Sequence, residues 1–444
     1  MAQWNKNTQD FLNQERSLFE VNGVATRDGK IVDRFNRFPV DVLPANADAF
    51  GRTRVSNPLT LFDSSHRYRD NNLWDSLVVG TASTIGFATT AGLVNMTVGV
   101  GSTASVIRET TKVFSYQPGK SLLVMNTFVP ATPKANLRQR IGYFGADNGM
   151  YFEIDGTTAY FVERSLSTGT ETRVAQSSWN IDKLDGTGIS GITLDITKAQ
   201  ILYMDIEWLG LGTVRIGFVI NGKFVHCHSF HHANIIQSTY ITTASLPLRY
   251  EISNTGITTS SSTLKQVCSS VISEGGYELR GLQQAVSTPI IAPVDLPTPR
   301  GTYYPVISLR LKAPINSQPD RLDAIVIMTA LSIMGTGNGP QYNWQVRASA
   351  TTSGGIWESA GPDSAIEYKL DGGSVTGGRV LASGFLTSAN QSSQSVDILK
   401  EALFKFQLER NGLTKTPYEL TLVAASDTAG ADIYASMDWE EISR

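Results

Sequence analysis

Cysteine is nearly absent, with only Cys227 and Cys268 in 444 residues. Two cysteines cannot build a disulfide framework. Both fall in strand-like stretches, so reduced thiols packed in the core are expected. Charge is sparse too. Only 17% of residues are charged, the net charge is −3 and there is no basic run, so the electrostatic footprint of a nucleic-acid binder is missing. No apolar run approaches the ~20 residues that a membrane span needs. The opening MAQWNKNTQD lacks the basic-then-apolar layout of a secretory signal. A soluble chain without membrane insertion is expected. Phosphate-cradling loops, paired CxxC motifs and a Ser/His/Asp arrangement are all absent, and no cofactor is implied.

What remains is glycine, 39 residues of it, with abundant Ser and Thr and little helical periodicity. That composition suits short strands and tight turns. Residues 201–232, ILYMDIEWLGLGTVRIGFVINGKFVHCHSFHH, predict three consecutive antiparallel strands. Leu202, Met204, Ile206 and Trp208 alternate with Tyr203, Asp205 and Glu207, and Val214, Ile216, Phe218 and Ile220 alternate with Arg215. Asn221-Gly222 predicts a two-residue hairpin, because both central positions need φ > 0. Regular pairing from that turn sets Phe218 against Val225, Ile216 against Cys227 and Val214 against Ser229. His226 and His228 then share the polar face with Tyr203, Asp205, Glu207 and Arg215.

Further strands precede and follow. RQRIGYFG-ADNG-MYFEI-DG-TTAYFVERS, residues 138–165, predicts a three-stranded meander turning at Asn148-Gly149 and Asp155-Gly156. Residues 179–191 form a crossing rich in Gly and Asp. Residues 285–305 hold five of the 17 prolines and predict a linker. Strands restart over 306–311, 324–328, 343–347, 366–370, 380–385, 404–408, 419–424 and 433–439, with a turn or two of helix over 395–403. The expected fold is all-β: an N-terminal extended docking arm (1–46), a jelly-roll or lectin-like β-sandwich (47–284), the linker and a second β-sandwich (306–444). In the arm, Asn7 or Thr8 caps a short helix whose apolar stripe needs a surface to lie on.

Residues 49–75, AFGRTRVSNPLTLFDSSHRYRDNNLWD, place Arg52 with Arg54 and Arg67 with Arg69 two apart, each pair projecting to one side of an extended chain. Asp63, Asp70 and Asp75 are candidate partners. Either an inter-subunit clamp or intramolecular pairing follows. Residues 49–70, 179–201 and 435–444 together resemble a family of virion structural proteins of tailed bacteriophages that infect marine bacteria, notably cyanobacteria. The resemblance implies a particle component made in the host bacterial cytoplasm, with copies of itself and other virion proteins as partners. It implies no position in the particle and no site residues.

The polar face of residues 201–232 holds the candidate chemistry. Tyr203-Met204-Asp205-Ile206-Glu207 resembles the Glu-x-Asp-x-Glu strand of laminarinase-type glycosidases. Glu207 stands at the acid/base position, but Tyr203 replaces the nucleophile, which retaining hydrolysis needs about 5–5.5 Å from its partner. Tyr203, Asp205, Glu207, Arg215 and His226 instead form a candidate glycan-binding face. His226 and His228 have metal-ligand spacing, and four clustered imidazoles suit joint protonation at mildly acid pH. Asp182, Asp185 and Asp195 with nearby glycines have the composition, not the spacing, of a calcium loop. The reading is a non-enzymatic virion structural protein, an external tail- or neck-associated appendage acting through assembly. The alternatives are a capsid decoration or head-fibre protein, and a host-glycan-binding adhesin or vestigial laminarinase-like glycosidase.

Overall fold

The computed structural model describes residues 25–27, 30–32, 57–278, 280–297, 300–312, 322–337, 340–370, 373–389, 394–397 and 405–443. The chain divides into a unit over Met1–Ser56 and a compact unit over Asn57–Arg444. In the first, β1 (Ala25–Arg27) and β2 (Lys30–Val32) form an antiparallel hairpin. The rest of the expected arm, with its short helix, lies outside the described residues, as do Arg52 and Arg54.

The second unit is all-β, with two sandwiches. The first contains β3 (Leu59–Ser65), β4 (Trp74–Val79), β5 (Thr84–Ala88), β6 (Leu93–Val98), β7 (Ser105–Thr110), β8 (Leu122–Val129), β9 (Leu137–Phe144), β10 (Gly149–Asp155) and β11 (Thr158–Ser165). It continues with β12 (Thr170–Ala175), β13 (Gln200–Ile206), β14 (Val214–Ile220), β15 (Lys223–Phe230), β16 (Leu248–Asn254) and β17 (Ser262–Ser273). One sheet runs β12-β11-β10-β9-β16-β7-β4. The other runs β15-β14-β13-β8-β17-β6-β5, with β3 also on β17. The meander of β9, β10 and β11 is present as expected.

Alternation explains the layering. In β8, Leu122, Val124, Asn126 and Phe128 are buried while Leu123, Met125, Thr127 and Val129 are half-buried. Across the two sheets Phe152 meets Phe218 edge-on at 5.2 Å and Phe128 at 6.2 Å, and Trp179 stacks on Phe161 at 4.2 Å. Each such ring taken out of water contributes roughly 2–3 kcal/mol.

The second sandwich contains β18 (Leu282–Ser287), β19 (Val294–Leu296), β20 (Tyr304–Leu311), β21 (Ile325–Gly335), β22 (Gln341–Ser353), β23 (Glu358–Ser359), β24 (Ile366–Leu370) and β25 (Ser374–Thr387). β26 (Gln394–Asp397), the small pair β27 (Arg410–Asn411) and β28 (Thr416–Pro417), β29 (Glu419–Ser426) and β30 (Ala431–Ser443) complete it. Its sheets run β18-β30-β21-β26, with β19 also on β30, and β23-β24-β20-β29-β22-β25. Gln394–Asp397 is strand, so the helical turns expected over 395–403 do not start there, and residues 398–403 lie outside the described residues.

The proline-rich linker is corrected. β18 and β19 both lie along β30, so residues 285–305 belong mostly to the second sandwich. Pro289 and Pro293 sit between these two strands, and Pro305 sits at an irregularity in the β20–β29 ladder. Such positions tolerate a missing N–H.

The sandwiches are joined by a buried polar junction. Arg410 pairs with Glu109 at 3.0 Å, Arg249 with Glu109 and Glu251 at 3.3 and 3.2 Å, and Arg140 with Glu251. Lys112 stands 3.7 Å from Glu409. The Arg410 backbone N–H and guanidinium donate to the carbonyls of Thr111 and Thr110, and the Gln407 amide donates to that of Val113. Val113 itself packs with Ile325 and Ile327. Charges withdrawn from water in this way persist only when each is matched.

Candidate functional site

The outer face of the sheet carrying β13, β14 and β15 is the candidate site. Asn221 and Gly222 adopt φ of 51° and 74°, so the hairpin turn forms as its residues require. The register holds for Phe218 against Val225 and then slips. Gly217 pairs with His226 but Ile216 pairs with His228, so Cys227 is the extra residue of a β-bulge. Val214 consequently faces Phe230, and Arg215 faces Ser229. The expected pairs Ile216–Cys227 and Val214–Ser229 are both displaced by one residue.

The slip separates the histidines, so the expected shared face of His226 and His228 does not form. His228 turns into the core, parallel to Phe161 at 6.4 Å and edge-on to Phe230 at 4.6 Å, and its Nδ1 accepts the Asn180 N–H. Burial pushes its pKa down to about 4. His226 stays on the outer side, with Nε2 2.9 Å from Ser229 Oγ and 3.1 Å from the His228 carbonyl, and its pKa is lowered by burial. His232 stacks on Tyr240 at 4.0 Å and bonds Glu163 at 2.8 Å. Burial lowers its pKa, but the Glu163 and Gly212 oxygens outweigh that and raise it. With shifts of opposite sign, these imidazoles do not charge together. Among the described residues no group of three or more His, Cys, Asp or Glu side chains is placed to hold a metal ion.

The other sequence-derived residues divide as well. Tyr203 is buried beneath Phe224, ring to ring at 4.9 Å, and so is not a stacking platform. The exposed ring is that of Phe224. Asp205 is ion-paired with Arg215. Burial and the nearby Glu274 and Glu207 raise its pKa, and Arg215 opposes them. Glu207 lies beyond the end of β13, where its Oε2 accepts the Thr213 N–H at 3.2 Å. Asp205, Glu207 and Arg215 line one groove of about 490 Å³ with Tyr116, Lys120, Ser121 and Thr213. Asp205 is held by Arg215 and Glu207 by the Thr213 N–H, so the groove presents hydrogen-bonded polar side chains.

Along the same face lie shallower hollows. One of about 470 Å³ includes Thr127, Ile201 and Lys198. The next, about 300 Å³, shares Thr127 and Ile201 and adds Ser65, Arg67, Cys268 and Ser270. The third, about 380 Å³, is bounded by Asp63, Arg67, Tyr68, Arg69 and Asn71. Cys268 is exposed on this surface, contrary to the core position expected for it, whereas Cys227 is buried. Arg67 and Arg69 are exposed, and neither forms an ion pair with a described residue. Asp70, expected to pair with them, is held by both nitrogens of the fully buried Arg108 at 2.7 and 2.5 Å. Asp75 accepts the Tyr418 hydroxyl instead. Arg108 was findable, because it stands in phase with buried Val106 on β7, where a cation needs a counter-ion.

The aspartates of the 179–191 crossing are consumed locally. Asp182 accepts the Leu184 and Ser190 N–H groups, and Asp185 accepts Thr187. These are turn-forming bonds that need no calcium.

No family model matches the chain, and no curated protein matches it. Among solved structures it is similar to a protein of unknown function from Shewanella oneidensis MR-1, at 13% identity, TM-score 0.33, covering 51% of this chain and 91% of that one. It is also similar to the Bacillus licheniformis β-glucanase, at 11% identity, TM-score 0.28, covering 50% and 99%. A third is peanut lectin, at 11% identity, TM-score 0.30, covering 49% and 98%.

Proposed function

We propose that this protein is a non-enzymatic component of a tailed-bacteriophage virion, an external tail- or neck-associated appendage that works by binding and assembly. The observation that supports this reading is the junction between the sandwiches. Its matched buried charges fix the second sandwich on the first, so the free sheet face is presented in a constant direction. Quantitative mass spectrometry of purified particles, with labelled imaging, tests it. Low copy number at the tail or neck is expected. Hundreds of copies on the head point to a capsid decoration protein instead, and absence from particles overturns the proposal.

A second reading, glycan binding without hydrolysis, is favoured by the polar groove of Asp205, Glu207 and Arg215. It predicts that host surface polysaccharide binds the full chain and that Asp205→Ala or Arg215→Ala weakens binding. A correctly folded protein that binds no host glycan would remove this reading.

A further inference from the structure

The sheet face also carries a built cationic loop. We infer that Arg67, Tyr68 and Arg69, with the hollows beside them, form a site for an acidic polysaccharide carrying carboxylates along an extended chain. This deepens the glycan-binding reading and rests on it.

The loop between β3 and β4 is held from below. Arg108, fully buried, forks Asp70. The Asn71 amide and the Trp74 indole N–H both donate to Ser64 Oγ, at 2.8 and 2.9 Å. Because Asp70 is committed to Arg108, no described residue forms an ion pair with Arg67 or Arg69 at its tip, although Asp63 lines the same hollows. A guanidinium fork matches a carboxylate in two parallel hydrogen bonds. Between them Tyr68 stands 90% exposed on an anchored backbone, which gives a flat apolar face at little ordering cost. The adjoining hollow offers hydroxyls at Ser65, Thr127 and Ser270 beside Ile201, a mixture suited to sugar OH and CH groups. Nucleic acid is a poorer match, since the chain is net negative and the exposed cations of this loop are Arg67 and Arg69, whereas nucleic-acid affinity rests on many phosphate contacts.

Calorimetric titration of the full chain tests the site, with polygalacturonate, a neutral β-glucan and oligo-dT as probes, at low and high salt. Polygalacturonate is expected to bind, more weakly at high salt. Arg67→Gln/Arg69→Gln is expected to lose about tenfold or more in affinity, as loss of charged hydrogen bonds implies, and Tyr68→Ala is expected to weaken binding too. These side chains are exposed, so melting temperatures should stay near the parent's. Unchanged affinity in the double variant overturns the inference, as does tighter binding of oligo-dT. If neutral glucan binds in an Arg215-dependent way and polygalacturonate does not, this site falls while the groove reading stands. If neither glycan binds the folded protein, both fall.

Discussion

His66 and His228 are core residues with a cost that depends on pH. Burial, aided at His66 by Arg108 and at His228 by neighbouring imidazoles, pushes both from the ordinary 6.5 down to about 4. Between these values the unfolded chain binds protons that the folded chain refuses. Their contribution is therefore intact above pH 6.5 and declines as the pH falls toward 4, by up to about 3 kcal/mol for each residue. His232 has the opposite sign. Its raised folded pKa gives stability that is full below the unfolded value and is lost as the pH rises through the folded one. His66→Met should remove part of the acid loss. We expect little change in melting temperature at pH 7 and a variant more stable than the parent at pH 4.5, read by thermal unfolding at both. An equal drop for both proteins would refute this account of His66. None of this was visible in residue type alone. Four histidines in seven residues suggested a shared role, and their separation depended on one inserted residue.

At the scale of the element, the β14–β15 hairpin shows what such an insertion does. Gly217 lies beside the bulge, and a Cβ there would come within 2.0 Å of the Val225 carbonyl and 2.9 Å of the Tyr203 ring. Gly217→Ala should therefore cost about 1–3 kcal/mol or more and loosen Tyr203 from Phe224. A lowered melting temperature with increased tyrosine solvent exposure is the expected result, and a variant as stable as the parent would show that the strand yields. The turn itself was legible, because Asn221-Gly222 has few conformations open to it. Cys227 as a bulge was not, since an apolar residue in a strand satisfies either register. The proline stretch misled for a related reason. Prolines at the ends of short strands and in a free linker look alike until β30 is present to pair with.

For the whole molecule, the junction should govern unfolding. Arg410→Ala leaves Glu109 with Arg249 as its remaining cation and deprives the Thr110 carbonyl of its donor, while the backbone N–H to Thr111 is kept. The expected loss is about 3 kcal/mol, and calorimetry should show the single transition of the parent resolving into two. One unchanged transition would mean that the apolar contacts of Val113 suffice. Asp75, raised to about 6 chiefly by its burial, makes a subtler case. A raised acid favours the folded state below its unfolded value and costs stability as the pH rises from about 4 to 6 and beyond. Asp75→Asn keeps an acceptor for Tyr418 and removes the charge, so it should raise stability at pH 7.5 by about 1–3 kcal/mol. Tyr418→Phe should lower it. A destabilised Asp75→Asn would mean that the carboxylate is needed by Arg410.

By itself the sequence determined the all-β class, the two sandwiches and most strand positions, because a period of two decides locally which side chains can leave water. Tertiary structure alone decided the rest. Whether Asp70 serves Arg69 or Arg108, whether residue 227 pairs or bulges, and whether a proline run links or caps are choices between partners far apart in the chain. Each alternative is locally acceptable, and only the packed sheets select the one that gives the buried Arg108 a counter-ion and sets β18 and β19 beside β30.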